Sequence, residues 1–181
     1  KKYINYLCDN GVKVIMTTAG TSQFNLLSVE DILKMNEICG EFDVLSILGV
    51  PALSEKEASK FINKMNKLEL PNTSLMLLYP DRYYDDDSIV NYFNNLADLS
   101  DYTCFIHGMF MRKGTGGTYN FTAELINKIS LHQNIIGMKE ETNDVGLAYN
   151  ICKDVNKDNF IVIAAGGSMK RFLSLHSTGV Q

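Results

Sequence analysis

The chain has 181 residues, 45% of them hydrophobic and 21% charged, with a formal net charge of −4 at pH 7. That composition excludes a disordered chain and suffices for a single domain over residues 1–181 with a sizeable core. The acidic balance and the lack of any Lys/Arg run argue against a phosphate-tracking nucleic-acid surface, and no apolar stretch approaches the roughly 18 residues of a membrane span, so a soluble cytoplasmic protein is expected. The four cysteines, Cys8, Cys39, Cys104 and Cys152, are scattered with no CxxC pair, which points to reduced thiols and to neither a zinc site nor a redox motif.

Residues Ile4 to Asn10 read as a helix end stopped by Gly11, and the β-branched run Val12 to Met16 reads as a strand closing on Thr17 to Ser22. Ser28 with Asp31 forms a capping box, and Ile32, Met35 and Cys39 follow at helical spacing. The unit then recurs. Val44 to Val50 is a second run, and Ser54 with Glu57 caps a helix whose buried face is Ala58, Phe61, Ile62, Met65 and Leu68. Leu75 to Tyr79 is the third, followed by Pro80 to Tyr84 and a helix marked by Ile89, Val90, Phe93 and Leu96. Tyr102 to Ile106 is the fourth and opens on His107 and a Gly-rich loop through Gly117, with Thr122 as N-cap of the next helix. The fifth, Ile135 to Met138, carries Lys139 and precedes a helix with Leu147, Ile151 and Val155. The sixth, Phe160 to Ala165, ends on Gly166-Gly167 before Met169 to Leu175.

Six apolar runs, each followed by an amphipathic helix, describe successive βαβ units and an all-parallel sheet. All C-terminal strand ends of such a sheet lie on one edge, which gathers Gly20, Thr21, Tyr83, Tyr84, His107, Arg112, Lys139 and Gly166. The chain begins at Lys1, and Thr178 to Gln181 reads as the approach to another strand, so a fragment of a longer chain is expected.

Lys139 carries the chemistry. Burial disfavours an ammonium, and a neutral amine is the nucleophile that forms a Schiff base with a ketone or aldehyde. The plainer reading is a solvated lysine at a loop start. Around it, Gly20 lets backbone approach a ligand and Thr21 offers an N–H and a hydroxyl to a carboxylate, although the same stretch also reads as a tight turn. His107 is suited to proton transfer near neutral pH, or to a structural hydrogen bond. Arg112 suits a second carboxylate, and Tyr83 or Tyr84 a proton relay, with solvation and packing as their plainer roles. Gly114 to Gly117 is a weak phosphate cradle at a helix N-terminus. His132 and His176 read as structural, and no cluster suggests a metal.

Several stretches together resemble one family, the class I aldolases and lyases typified by dihydrodipicolinate synthase and N-acetylneuraminate lyase. Asn134 to Glu141 (NIIGMKEE) resembles the family's NIVGIKE strand, whose Schiff-base lysine falls on Lys139. Ala19 to Phe24 resembles the GTTGEF turn, whose two threonine positions hold the pyruvate carboxylate and fall on Gly20 and Thr21. The likeness continues through Leu26 to Glu30, Pro80 to Tyr84 and Phe160 to Gly167. It departs at the relay tyrosine of the YNxP strand end, which falls on His107, at that motif's proline, which falls on Phe110, and at Gly20, Ser22 and Gln23.

The resemblance implies a (β/α)₈ TIM barrel, here incomplete, with about six βα units visible and the first and last strands missing. Such an open sheet has unpaired edges and is expected to depend on the rest of the barrel or on partner chains. The implied function is a pyruvate-dependent lyase or synthase that joins a 2-oxo acid to an aldehyde, or cleaves the product. It needs no cofactor beyond the covalent Schiff base, and it works as a homo-oligomer, a tetramer or dimer. The alternatives are a non-catalytic or regulatory 2-oxo acid-binding relative without the proton relay, and an open nucleotide binder using Gly114 to Gly117.

Overall fold

The computed structural model describes residues 1–17, 24–80, 82–142, 144–155, 159–165 and 179–180. In chain order these form α1 (Lys2–Asp9), β1 (Val14–Met16), a 3-10 turn (Phe24–Leu26), α2 (Val29–Gly40), β2 (Leu45–Val50), α3 (Glu55–Asn66), β3 (Thr73–Leu77), β4 (Arg82–Tyr83) and α4 (Asp86–Leu99). There follow β5 (Thr103–Gly108), β6 (Met111–Lys113), β7 (Thr118–Tyr119), α5 (Ala123–Ile129), β8 (Ile135–Glu140), α6 (Val145–Asp154), β9 (Ile161–Ala164) and β10 (Gly179–Val180).

Seven strands pair in the order β1, β2, β3, β5, β8, β9, β10, every neighbour parallel. The first six are the apolar runs read from the sequence. The seventh is the short strand whose approach is read at Thr178 to Gln181: Gly179 and Val180 pair with Ile163 and Ala164. β1 and β10 are the two edges, so the sheet is an incomplete (β/α) barrel.

Local chemistry sets the helix starts. The Ser28 hydroxyl accepts from the Asp31 N–H while the Asp31 carboxylate accepts from the Ser28 N–H, and Ser54, Asp85, Thr122 and Asp144 cap their helices with one side-chain acceptor each. The buried face of α2 differs from expectation. Met35 is exposed and Asn36 is buried in its place, its amide donating to the Gly49 carbonyl at 2.9 Å and its oxygen accepting from the Thr17 hydroxyl at 2.8 Å.

The Gly-rich loop after β5 is also more ordered than a loop. β6 and β7 form a hairpin, and β4 pairs in parallel with β6 to complete a three-stranded sheet. Gly116 and Gly117 turn that hairpin at φ values of +93° and +77°, with Gly116 N–H donating to Lys113 and Lys113 N–H donating to Gly117. The turn is separated from the Thr122 cap of α5 by β7, so it is not a phosphate cradle at a helix N-terminus.

The large sheet has two faces. Toward the helices it packs Leu48, Val50, Leu75, Leu77, Cys104, Ile106 and Met138, and on the opposite face Ile47, Met76, Leu78 and Phe105 form a second buried cluster. Alternation along each strand puts His107 above Phe105 and Lys139 above Gly137 on that opposite face. Gly137 is required by close approach, since a Cβ there would lie 2.5 Å from the Ile161 carbonyl and 2.6 Å from the Phe105 ring.

Candidate active site

β5 and β8 place His107 and Lys139 directly opposite each other. They do so because the register shifts between Cys104 and Phe105: Cys104 pairs with Ile135 but Phe105 with Gly137, leaving Ile136 as an extra residue. Without that bulge His107 would face Met138. Both polar side chains are buried, each residue being 1% exposed, near the C-terminal end of its strand.

The group that joins them is Glu141. Its Oε2 lies 2.6 Å from His107 Nε2 and 3.1 Å from Lys139 Nζ, while its side chain remains 27% exposed. Sequence reasoning passed over this glutamate, although its position two residues after Lys139 is the spacing that returns a strand residue to the same face. Burial, the largest influence, pushes the His107 imidazole below its ordinary value; the Glu141 hydrogen bond opposes that and the Lys139 charge adds to it. The Glu141 carboxyl is lowered to about 2, first by the hydrogen bond from His107, with burial working against it and Lys139 in its favour. Both directions favour a neutral imidazole hydrogen-bonded to an ionised carboxylate near neutral pH.

Glu140 turns the other way, toward α6. Its carboxyl is pushed up to about 7 by burial, Oε1 accepts from the Thr142 N–H at 2.7 Å, and Oε2 has no partner among the described residues. It belongs to the sheet–helix layer and not to the Lys139 pocket.

A cavity of about 710 Å³ opens beside the site. Its lining is mostly apolar, including Leu53, Leu78, Met109 and Phe110, and it reaches His107 and Arg112. Among the described lining residues Lys139 is absent. Glu141 sits on the amine, and its partial exposure gives that carboxylate room to move.

The remaining sequence candidates fall in different places. Gly20, Thr21 and Gly166 lie outside the described residues. Arg112 is on β6, exposed, at the cavity wall. Tyr83 stacks on Tyr119 with ring centroids 3.8 Å apart, and Tyr84 is 68% exposed; within one chain neither lines the cavity. His132 donates to or accepts from Asp98 at 3.0 Å, and His176 lies outside the described residues. Among the described residues no three His, Cys, Asp or Glu side chains gather as metal ligands, and no helix is long and apolar enough to cross a membrane.

No protein-family model matches the chain. It is similar to the 4-hydroxy-tetrahydrodipicolinate synthase of Buchnera aphidicola, 25% identical over 183 residues that cover 99% of this chain and 60% of that protein. Among solved structures it superposes on dihydrodipicolinate synthase from Aquifex aeolicus with a TM-score of 0.81 and 18% identity, covering 99% of this chain and 61% of that one. It also superposes on a prophage protein of the dihydrodipicolinic acid synthase family from Escherichia coli K12, solved in complex with pyruvate, with a TM-score of 0.83, 14% identity and the same two coverages. These likenesses support the family that the sequence motifs resemble, that of dihydrodipicolinate synthase and N-acetylneuraminate lyase. The chain spans about 60% of the length of the relatives it matches. In this chain Lys139 stands near the end of its strand opposite His107, whose ring is hydrogen-bonded to Glu141.

Proposed function

We propose that this chain carries the catalytic lysine of a class I, pyruvate-dependent lyase or synthase. The observation that carries the reading is Lys139: a buried amine on the face of the barrel sheet turned away from the helices, at a C-terminal strand end, opposite a buried histidine. In such barrels chemistry collects at that edge. Lys139, as the free amine, attacks the ketone of pyruvate or a related 2-oxo acid, and loss of water gives an iminium that acts as the electron sink. The enamine formed from it adds to an aldehyde, or the reverse cleavage releases one. Gly20 and Thr21 hold the 2-oxo acid carboxylate with Gly166 as a further substrate-binding residue, Arg112 receives an acidic group of the aldehyde partner, and His107 moves protons. The chemistry calls for no metal or organic cofactor, and the working form is a homo-oligomer in the cytoplasm.

The test is to incubate the full chain with pyruvate and borohydride and to map the product by mass spectrometry. The expected result is one reduced adduct on Lys139, lost in Lys139→Met. Absence of an adduct with pyruvate and with other 2-oxo acids overturns the reading. A non-catalytic 2-oxo acid binder is the second reading, motivated by His107 standing at the tyrosine position; an adduct with no turnover of any aldehyde decides for it.

A further inference from the structure

The contact between Glu141 and His107 determines which ring nitrogen carries the proton. An ionised carboxylate only accepts hydrogen bonds, so the 2.6 Å contact places the N–H of the neutral imidazole on Nε2. Nδ1 is then the bare nitrogen. Among the described residues it has no hydrogen-bond partner, and it is buried in a side chain that lines the 710 Å³ cavity. Leaving a buried acceptor unpaired costs ~1–3 kcal/mol, so the orphaned nitrogen of a side chain that lines a cavity is a candidate acceptor for a ligand atom.

We propose that Glu141 and His107 form a carboxylate–imidazole dyad in which His107 Nδ1 is the base that takes the C3 proton of the lysine-bound 2-oxo acid and Glu141 is its positioning residue. This rests on the Schiff-base reading of Lys139. In the iminium the C3–H electron pair becomes the C2=C3 bond, the iminium π pair returns to Nζ, and the proton goes to Nδ1. The products are an enamine and an imidazolium, and the Glu141 carboxylate stabilises the new positive charge through Nε2–H. When the enamine adds to an aldehyde, the C2=C3 pair makes the carbon–carbon bond and the carbonyl π pair moves to oxygen. Nδ1 returns its proton to that oxygen and the iminium re-forms at Nζ.

The experiment needs no aldehyde. The full chain is given pyruvate in heavy water, loss of the methyl protons is followed by NMR, and borohydride trapping at Lys139 is measured in parallel. His107→Phe and Glu141→Ala are each expected to retain the trapped adduct while exchanging methyl protons ~100-fold more slowly, the scale of a lost general acid–base step. The double variant is expected to be no slower than the worse single one, since the two residues act as a unit. Wild-type exchange in either variant that still forms the adduct overturns the dyad. Absence of an adduct in the wild type overturns the Schiff-base reading instead. Should a variant not fold, nitrogen-15 histidine NMR of the wild type decides the dyad on its own: His107 is expected to carry its proton on Nε2 with Nδ1 bare, and the opposite tautomer overturns it.

Discussion

Lys139 and His107 are register partners on adjacent parallel strands, and both reach a single oxygen of Glu141, at 3.1 Å from Nζ and 2.6 Å from Nε2. Removing the lysine therefore leaves the glutamate a partner. Breaking a buried ion pair is costly mainly when it strands a charge, and Glu141 is partly solvated as well as bonded to His107. Lys139→Met is expected to abolish the borohydride adduct while changing stability by no more than about 1–2 kcal/mol, measured by urea denaturation. A variant that does not fold would contradict this account of the site.

Glu140 makes a different prediction, about pH. Its carboxyl has an ordinary value of 4.5 and rises to about 7 in the fold because it is buried. Below 4.5 it is protonated in both states; between 4.5 and about 7 the folded state holds a proton that the unfolded state has lost, so stability falls as pH rises through that window. The span corresponds to at most about 3 kcal/mol. Glu141 runs the other way and outside this window, contributing stability above 4.5 that is lost as pH falls toward about 2. Glu140→Gln cannot ionise, so between about pH 5 and about pH 8 its stability should improve relative to wild type by up to about 3 kcal/mol. Urea midpoints at the two pH values measure this, and a difference that does not move with pH would refute it.

Gly137 sits directly beneath Lys139, between the Phe105 ring and the Ile161 carbonyl. A methyl group there meets backbone on one side, which cannot swing aside. Gly137→Ala is expected to lose about 1–3 kcal/mol and to disturb the alignment of β8 with β5. Thermal denaturation checks the first effect, and a slower borohydride adduct at Lys139 checks the second.

Asn36 is the polar residue buried in α2, tied to the Gly49 carbonyl and the Thr17 hydroxyl. Asn36→Ala leaves both without this partner and opens space beside Met65, which the Asn36 amide also touches at 3.7 Å. A loss of about 1–3 kcal/mol in urea denaturation is expected, whereas Met35→Ala, at an exposed position, should change stability by less than about 0.5 kcal/mol.

The sequence by itself determined the alternation of strands and helices, because apolar period and capping residues act locally: Ser28 with Asp31, Ser54, Thr122 and the run ending at Lys139 all do what their spacing dictates. It also brought Lys139 and His107 to one edge of a parallel sheet. It missed Asn36, because a helical period marks Met35 and Asn36 as neighbours on the same border and only the hydrogen bonds to β2 and Thr17 choose between them. It missed β6 and β7, because residues read as a loop became a hairpin by pairing with β4, which is distant in sequence. Only the tertiary structure decided that Lys139 faces His107. That pairing depends on one extra residue, Ile136, inserted between two ladder pairs, and a bulge is a property of two strands together that neither strand's own alternation records. The same pairing lets Glu141 close on both groups at once, and Nδ1 of the cavity-lining His107 has no partner among the described residues.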